Sequence, residues 1–476
     1  MGFYKLSHRG SGKRTRMRGK VNAWRKTERR FFMGALDGFK VLDFTTLLPG
    51  PYATMTLADL GAEVLKVSGR DKYDLVVNWP PVIEGAQVTG AQAWLGRNKK
   101  TIFLNLKKPA AVEAVKKLVM EYDIVVEQFR PGVMDKLGVG YEELRKVNPR
   151  LIYCAITGYG QSGPFAMKAG HDINYLSRSG IAWAAGRKAG GPGLYNFQIA
   201  DVAGGSMNAV SSILAAIIYR ERTGEGQFID VSMQDSVIPF NSMDGASYFA
   251  GGPMPMRESG MLNGGGIYDF YETSDGRFMG VGSLEPKFFA ALCVGLGHPE
   301  WKDGKILKTD TGMVKKTFRE VFKTKTRDEW TAVFEDLDAC VEPVMDLEEV
   351  SKDEHLVQRG MWPSVEVPVS GSSASSGAND SSCSGAASSS ASDSSCSGAA
   401  SSGAIDSSCS GSASNASDGS PGSGEAGGIR ITHMGCPMNL SACPPRYDHA
   451  GHPEGYQTEQ ILQKLGYSRE EITEMT

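Results

Sequence analysis

The sequence of 476 residues lacks an uninterrupted run of about eighteen apolar residues, the length that a membrane-spanning helix needs. Its most apolar stretch, residues 210–219, is shorter than that and is typical of a buried helix. The chain also lacks a strong charge of either sign, because its formal net charge is −3. We therefore expect a soluble protein with no membrane partner and no nucleic-acid partner. The length predicts more than one domain.

The sequence lacks the cysteine patterns that mark a disulfide framework or a zinc site. His433, Cys436 and Cys443 lie close together, but their spacing fits no tetrahedral zinc signature, so no metal site is predicted. No signal peptide precedes the predicted fold, which favours a reducing, cytoplasmic location. Three cysteines stand singly in apolar or helical surroundings and are expected to be buried thiols: Cys154, Cys293 and Cys340.

Two segments lack the residues that a folded domain needs. Residues 1–32 contain one acidic residue, Glu28, among many lysines and arginines, and residues 370–428 are almost entirely Ser, Gly, Ala and Asp. Such compositions bury too little apolar surface to offset the entropy of ordering. We expect residues 1–33 to form a basic disordered extension and residues 370–428 to form a flexible insertion. A phosphate-binding arm and a transit peptide remain alternatives for the first segment.

The remaining sequence alternates short apolar strands with helices, which is typical of an open parallel sheet. We predict an α/β fold with a Rossmann-like large domain and a smaller α/β domain. Sheets of this kind bind ligands beyond the carboxyl ends of their strands. The predicted strands are residues 39–44, 63–67, 102–106, 124–127 and 151–156, and the predicted helices are residues 52–60 and 109–120.

Cationic and aromatic side chains follow several of the predicted strands. Guanidinium and ammonium groups bind phosphates, and an aromatic ring or a guanidinium group can stack on a nucleotide base. A ligand that carries a nucleotide is therefore expected at this edge of the sheet. The candidate residues are Arg70, Lys107, Gln128, Phe129, Arg130 and Lys136.

A histidine and a carboxylate occur in two glycine-containing motifs. His171 lies in GHDINYL at residues 170–176, and Asp201 lies in FQIADVAGG at residues 197–205. Both side chains ionise within reach of neutral pH, so one can take a proton from a carbon while the other returns one. The pair therefore predicts proton transfer at carbon. The alternative for Asp201 is a helix N-cap before the apolar stretch, a role that a catalytic carboxylate can combine with its chemistry.

These two motifs belong to a longer series of short matches. From about residue 38 to residue 467 the sequence resembles the family III (CaiB/BaiF-type) CoA-transferase superfamily, and in particular its alpha-methylacyl-CoA racemase branch. The resemblance implies an acyl-CoA thioester substrate, so coenzyme A is part of the substrate and no separate cofactor is expected. It also implies an interlocked homodimer. The other matching segments are LPGP at 48–51, LADLGA at 57–62, FRPGV at 129–133, GYG at 158–160, GEGQFIDV at 224–231 and VGSLEPKF at 281–288.

The resemblance also implies where the substrate binds. After Lys66 and Val67 the family usually has an acidic residue and often a proline, whereas this chain has Ser-Gly-Arg at 68–70. The acyl chain is expected near the methionines of residues 243–256 and Met261, because thioether side chains adapt to many shapes. The residues implied in binding are Arg70, Leu104, Asn105, Leu106, Lys107, Gln128, Phe129, Arg130, Lys136, Gly170, Asp172, Ile173, Asn174 and Tyr175.

The chemistry implied by the resemblance is a proton transfer at the carbon next to the thioester carbonyl. The racemase residues that match His171 and Asp201 are two acid–base groups, one on each face of that carbon, and the reaction passes through an enolate. Backbone N–H groups at the helix start after Gly170 are expected to stabilise the enolate oxygen. Glu285 matches a glutamate that accompanies the histidine. Without the resemblance, Glu285 would be interpreted as a helix N-terminal acid before Pro286.

Two other functions remain open at this point. A CoA-transferase on the same fold would use Asp201 as a covalent nucleophile to move coenzyme A between carboxylic acids. His171 and residues 338–344, which resemble racemase sequences, favour the racemase, because a transferase needs no second base. The third alternative is a binding module for acyl-CoA or nucleic acid.

The chain divides into parts on the same grounds. Residues 34–240 are expected to form the first part of the large domain, and residues 241–350 the small domain. Residues 351–369 and 429–476 are expected to return to the large domain, with one helix at 458–465 and another that begins after Ser468.

Overall fold

The computed structural model describes residues 33–71, 74–367 and 428–476. Its centre is a six-stranded parallel sheet formed by β1 (Lys40–Asp43), β2 (Glu63–Ser68), β3 (Lys99–Phe103), β4 (Ile124–Glu127), β5 (Ile152–Thr157) and β6 (Gln227–Ser232). The strand order is β3-β2-β1-β4-β5-β6, and every neighbouring pair is parallel. This order is that of a Rossmann sheet, with the switch point between β1 and β4. The predicted α/β fold is confirmed.

Helices cover both faces of the sheet, which explains why its inner strands are almost wholly apolar. All six residues of β5 are buried, as are all four of β4. One apolar cluster joins one face of the sheet to the first and eighth helices, and a second cluster joins the other face to the third helix. The helices of this part are α1 (Pro49–Asp59), α2 (Gly90–Leu95), α3 (Pro109–Val119), α4 (Val133–Lys136), α5 (Tyr141–Val147), α6 (Asp172–Arg178), α7 (Ile181–Ala184), α8 (Met207–Thr223) and α9 (Met233–Val237).

The apolar stretch at residues 210–219 lies in α8, as predicted. A π-helical segment, Ala200–Ser206, precedes α8 without a break. Among the described residues, the combined helix Ala200–Thr223 is long and apolar enough, by length and composition, to cross a membrane. A core helix meets the same criteria, and Val210, Ile213 and Ile217 are buried in the core beside the sheet. The lack of a membrane partner stays a prediction.

A second core forms around an antiparallel sheet of β7 (Asp269–Glu272), β8 (Phe278–Val281) and β9 (Val341–Pro343). Aromatic side chains dominate this core, including the fully buried Phe318, Phe322 and Trp330. The segment falls within the predicted small domain, 241–350, whose bounds stay a prediction. The helices between residues 242 and 358 are α10 (Ser242–Phe249), α11 (Pro286–Gly295), α12 (Lys305–Phe322), α13 (Arg327–Phe334), α14 (Leu347–Lys352) and α15 (Glu354–Gln358).

The residues on either side of the predicted insertion pair with each other. β10 (Ser364–Val367) and β11 (Ile429–Thr432) form an antiparallel pair, and α16 (Thr458–Lys464) and α17 (Arg469–Met475) follow. These helices pack on the large sheet, since the Phe103 N–H donates to Thr458 Oγ1 at 2.9 Å and the Asn105 N–H donates to the Met475 carbonyl at 2.9 Å. The expected basic extension at 1–33 and flexible insertion at 370–428 lie, except for their last residues, outside the described residues.

A buried arginine fastens the chain after residue 428 to the large sheet. Arg97 is fully buried, and its Nε and Nη2 donate to the two carboxylate oxygens of Asp59 at 2.9 and 2.5 Å. Its Nη1 donates to the Met434 carbonyl at 2.9 Å, and its guanidinium lies 4.9 Å from the ring centre of Tyr447. A bidentate pair with a further carbonyl satisfies a charge that burial would otherwise make costly.

Two of the three cysteines that were predicted to be buried are buried, and the third is not. Cys154 and Cys293 are buried, as predicted, but Cys340 is exposed, so that prediction is wrong. The reason is local: Cys340 has a φ of 51° in the turn that leads into β9, where Ala339 takes the buried position. Cys436 is also buried, and no group of three or more metal-ligating side chains occurs in the part of the chain that the structure describes.

Candidate active site

His171 and Asp201 line the same cavity, which has a volume of about 750 Å³. We call it the acid–base cavity. Asp172 and Ile173 line it as well, so it takes residues from both sequence motifs. Its other walls are largely apolar and include three exposed aromatic side chains: Trp183, Tyr195 and Phe197.

The histidine motif is held in place by an asparagine side chain and by a buried tyrosine. The His171 N–H donates to Asn174 Oδ1 at 3.0 Å, while the Tyr175 hydroxyl donates to the Gly170 carbonyl at 2.6 Å. A Cβ at Gly158 or Gly170 would lie 2.4 or 2.7 Å from the Tyr175 ring, so both positions require glycine. The imidazole of His171, at the start of α6, is left exposed toward the cavity.

Asp201 lies inside the π-helical segment and is not its N-cap, which is Ile199. Short π-helical segments are frequent at functional sites. The segment is packed closely: a Cβ at Gly205 would lie 3.0 Å from Met233 and 3.1 Å from Pro49. The Ser206 hydroxyl also donates a hydrogen bond to the Pro49 carbonyl at 2.6 Å. The backbone that carries Asp201 is therefore held against α9 and α1.

Asp172 joins the two motifs. Its Oδ1 accepts hydrogen bonds from the N–H groups of Ala200 at 2.6 Å and Asp201 at 3.2 Å. Burial, and then the negative charge of Asp172, raise the pKa of the Asp201 carboxyl to about 7. Burial also raises the pKa of Asp172, against the effect of the two hydrogen bonds that it accepts. Asp201 can therefore bind and release a proton near neutral pH.

A second cavity, of about 770 Å³, lies at the carboxyl ends of β1 to β4. We call it the coenzyme cavity. β3 ends at Phe103, earlier than predicted, so residues 104–107 lie beyond the strand. The Arg70 guanidinium lies 4.8 Å from the ring centre of Phe103. The predicted binding residues that line this cavity are Arg70, Leu104, Asn105, Leu106, Lys107 and Phe129.

Three of the six candidates for nucleotide binding that follow the predicted strands do not line the coenzyme cavity. Gln128 faces α1, because its Oε1 accepts a hydrogen bond from the Gly50 N–H at 2.8 Å. Arg130 and Lys136 are exposed on the turn and the short helix α4 that follow β4. Their part in binding stays a prediction.

Glu285 is not among the residues that line the acid–base cavity of its own chain. It is exposed and precedes Pro286 at the start of α11, the position expected of a helix N-terminal acid. Its negative charge contributes, after burial, to a raised pKa of the Cys340 thiol. Its part beside His171 stays a prediction.

A third cavity, of about 750 Å³, adjoins the acid–base cavity and shares Trp183 and Tyr195 with it. Met254, from the predicted methionine-containing region, lines this cavity together with Phe240 and Phe249. Met261 is exposed and is not among its lining residues. An apolar space therefore continues from the candidate acid–base pair.

Several residues that line the cavities were not among the predicted site residues. Trp183 and Tyr195 carried a usable signal, since aromatic residues are unusual in the glycine-rich stretch at 180–198. Lys66 and Ser68 carried another, because they end β2. Glu454 carried none, because it reaches the coenzyme cavity from the chain after the insertion.

The chain is similar to several known proteins. The chain is 38% identical to alpha-methylacyl-CoA racemase of Homo sapiens over 331 residues. The matched region covers 69% of this chain and 82% of the relative. The chain is 33% identical over 343 residues to succinyl-CoA:glutarate CoA-transferase of Homo sapiens, which covers 71% and 77%. A crystal structure of a CAIB/BAIF family protein from Brucella suis, at 24% identity, has a TM-score of 0.69 and covers 91% of this chain and 100% of that one, which shows the fold.

The family model described as CoA-transferase family III matches residues 36–386, which is most of the chain. Together with the relatives on both sides of the racemase and transferase division, this match is decisive for the family. The chain belongs to CoA-transferase family III.

Proposed function

We propose that the protein racemises or epimerises 2-methylacyl-CoA thioesters by a 1,1-proton transfer. His171 and Asp201 are the two acid–base groups. The observation that carries the proposal is their position on one cavity, together with an Asp201 pKa raised to about 7. A group that must alternately take and return a proton works best when its pKa is near the working pH. The similarity to alpha-methylacyl-CoA racemase supports the same reaction.

The substrate and the product of this reaction have the same composition, so no second reactant is needed. One base removes the proton next to the thioester carbonyl, and the electron pair moves onto the carbonyl oxygen to give an enolate. The other group then donates a proton to the opposite face, and the two exchange roles for the other enantiomer. The backbone N–H groups of Asp172 and Ile173, at the start of α6, have no acceptor among the described residues. They are the donors proposed for the enolate oxygen.

The remaining parts of the proposal concern the substrate and the assembly. Coenzyme A, as part of the substrate, occupies the coenzyme cavity, where Arg70 and Lys107 offer charges for its phosphates. The active form is an interlocked homodimer, and that assembly brings a Glu285 side chain to the imidazole of His171. The free thiols of Cys154 and Cys293 are consistent with a reducing compartment, the cytoplasm.

The second candidate is a CoA-transferase, and the similarity to succinyl-CoA:glutarate CoA-transferase favours it. In that reaction the Asp201 carboxylate attacks the thioester carbonyl, which forms an acyl anhydride and releases the coenzyme A thiolate. The thiolate then attacks the aspartyl carbonyl of the anhydride, which releases the first acid and leaves an aspartyl thioester. A second carboxylate attacks the aspartyl thioester, which forms a second anhydride and releases the thiolate again. The thiolate then attacks the acyl carbonyl of that anhydride, which gives the new acyl-CoA and restores the Asp201 carboxylate. His171 has no necessary part in these steps.

The test is incubation of the purified protein with one enantiomer of a 2-methylacyl-CoA in heavy water, followed by mass spectrometry and chiral analysis. The racemase predicts deuterium at the α-carbon and loss of optical purity, and racemisation is lost in both His171→Ala and Asp201→Asn. His355→Ala is the matched control, because His355 is an exposed histidine in α15.

The opposite result has a distinct signature. Transfer of coenzyme A to an added carboxylic acid, without α-deuterium, that requires Asp201 but not His171 would make the protein a transferase. Trapping with hydroxylamine would then detect the aspartyl thioester in the wild-type protein and not in Asp201→Asn.

A further inference from the structure

The coenzyme cavity contains a carboxylate from a distant part of the chain. Glu454, after the insertion, lines the cavity together with Lys66, Arg70 and Lys107. Its Oε1 accepts a hydrogen bond from Ser68 Oγ at 2.8 Å, at the end of β2. The side chain is half-buried, and within the described residues the structure gives Glu454 no ion pair and Oε2 no hydrogen bond. One carboxylate oxygen is thus available to a ligand.

The negative charge of a carboxylate in this cavity determines which part of the ligand can bind next to it. Phosphate oxygens accept hydrogen bonds and carry negative charge, so they repel an ionised carboxylate. The ribose 2′-hydroxyl, which coenzyme A leaves free, and the adenine amino group donate hydrogen bonds, and a carboxylate accepts them strongly. In sheets of this order, an acidic group near the end of the second strand meets the ribose of a bound nucleotide. Ser68 fixes Glu454 at that strand end.

We propose that Glu454 is a positioning residue for the adenosine part of the substrate, where its free carboxylate oxygen accepts a hydrogen bond from a ribose hydroxyl or the adenine amino group. The cations of the cavity are left to hold the phosphates. The inference rests on the proposed coenzyme A thioester substrate. It holds for racemase and transferase alike, because both bind the same nucleotide.

The test compares two thioesters that share the acyl group, an acyl-CoA and the corresponding acyl-pantetheine, which lacks the nucleotide. With the full chain, Glu454→Gln is expected to lower kcat/KM for the acyl-CoA about tenfold, as loss of a hydrogen bond to a charged group would. The value for the acyl-pantetheine is expected to stay unchanged. Glu470→Gln is the matched control, since Glu470 is an exposed acid of the same segment.

Other results would overturn the inference. An equal loss with both thioesters would mean that Glu454 supports the fold or the thioester end, and no loss with either would mean that it makes no contact. Thermal unfolding of Glu454→Gln checks folding. Ser68→Ala is a milder second variant, which should also lower kcat/KM for the acyl-CoA and leave the value for the acyl-pantetheine unchanged. Failure of the wild-type protein to bind coenzyme A in calorimetry would instead overturn the proposed function itself.

Discussion

One oxygen of Asp172 accepts a hydrogen bond from the backbone N–H of Asp201, at 3.2 Å, and so links the two motifs of the acid–base cavity. The same oxygen accepts from Ala200 at 2.6 Å. The negative charge that makes this contact also adds to the raised pKa of the Asp201 carboxyl. The ionisation of Asp201 is therefore coupled to that of Asp172, the residue that follows His171.

Asp172→Asn is expected to shift the acid limb of the pH profile for kcat/KM to lower pH. The amide oxygen can still accept the hydrogen bonds, but the neighbouring negative charge is gone, so Asp201 ionises more easily and its pKa falls. The measurement is kcat/KM from about pH 5 to pH 9. Asp336→Asn, at an exposed position, should leave the profile unchanged. An unshifted limb in Asp172→Asn would show that burial alone sets the Asp201 pKa.

Variants that keep one base are expected to exchange the α-proton of one enantiomer only. His171→Ala leaves Asp201 to serve its own face of the carbon, whereas Asp201→Asn leaves His171 to serve the other. Racemisation should fall by about 10² to 10⁴, the usual contribution of a general acid–base group. Deuterium exchange measured separately on the two enantiomers tests this. If both variants exchange the same enantiomer, the two residues do not lie on opposite faces of the substrate.

The sequence predicted elements best where burial alone decides them. β4 was predicted to the residue, since three of its four residues are apolar, and the structure buries all four. β3 was predicted at 102–106 but spans Lys99–Phe103, because charged residues at a strand start disfavour that interpretation. The structure resolves this conflict by pairing the buried Lys99 with Asp43, with 3.2 Å between Nζ and Oδ2. The strand shift leaves residues 104–107 beyond the sheet edge.

For the candidate site too, residues in local motifs were predicted from the sequence, and residues that only the fold brings together were not. His171 and Asp201 lie in local motifs whose spacing and composition are visible in the sequence, and the structure brings them together. Glu454 and Ser68 are 386 positions apart, and only the fold places them side by side. Glu285 also lies in a local motif, but it is outside the acid–base cavity of its own chain. A motif specifies residue types, and it does not specify which cavity a side chain reaches in the folded protein.

Glu127→Gln is expected to remove a pH dependence of stability. Burial raises the pKa of Glu127 to about 8, so the folded protein keeps a proton that the unfolded chain loses above its ordinary pKa of 4.5. The unfolded state then binds fewer protons, and the free energy of unfolding falls as the pH rises from 4.5 to about 8. The amide can still accept from the Phe129 N–H, a contact of 2.6 Å.

The measurement for Glu127→Gln is the Tm of the variant and of the wild type between about pH 5 and pH 9. The Tm of the variant should exceed that of the wild type by several degrees at the upper end, and the difference should shrink toward the lower end. Glu142→Gln, on the surface of α5, is the exposed control. A parallel pH slope for Glu127→Gln and the wild type would contradict the prediction.

Arg97→Met is expected to destabilise the protein by about 3–5 kcal/mol, because it leaves the buried carboxylate of Asp59 without its cation. It also removes the hydrogen bond to the Met434 carbonyl, so the chain after the insertion should loosen from the large sheet. Urea unfolding measures the first effect, and faster proteolysis near residue 434 in native buffer measures the second. Arg145→Met breaks an exposed pair with Glu142 and a contact of the guanidinium with the Tyr141 ring, and should cost about 1 kcal/mol at most. Equal losses in the two variants would mean that burial adds nothing to the Arg97 pair.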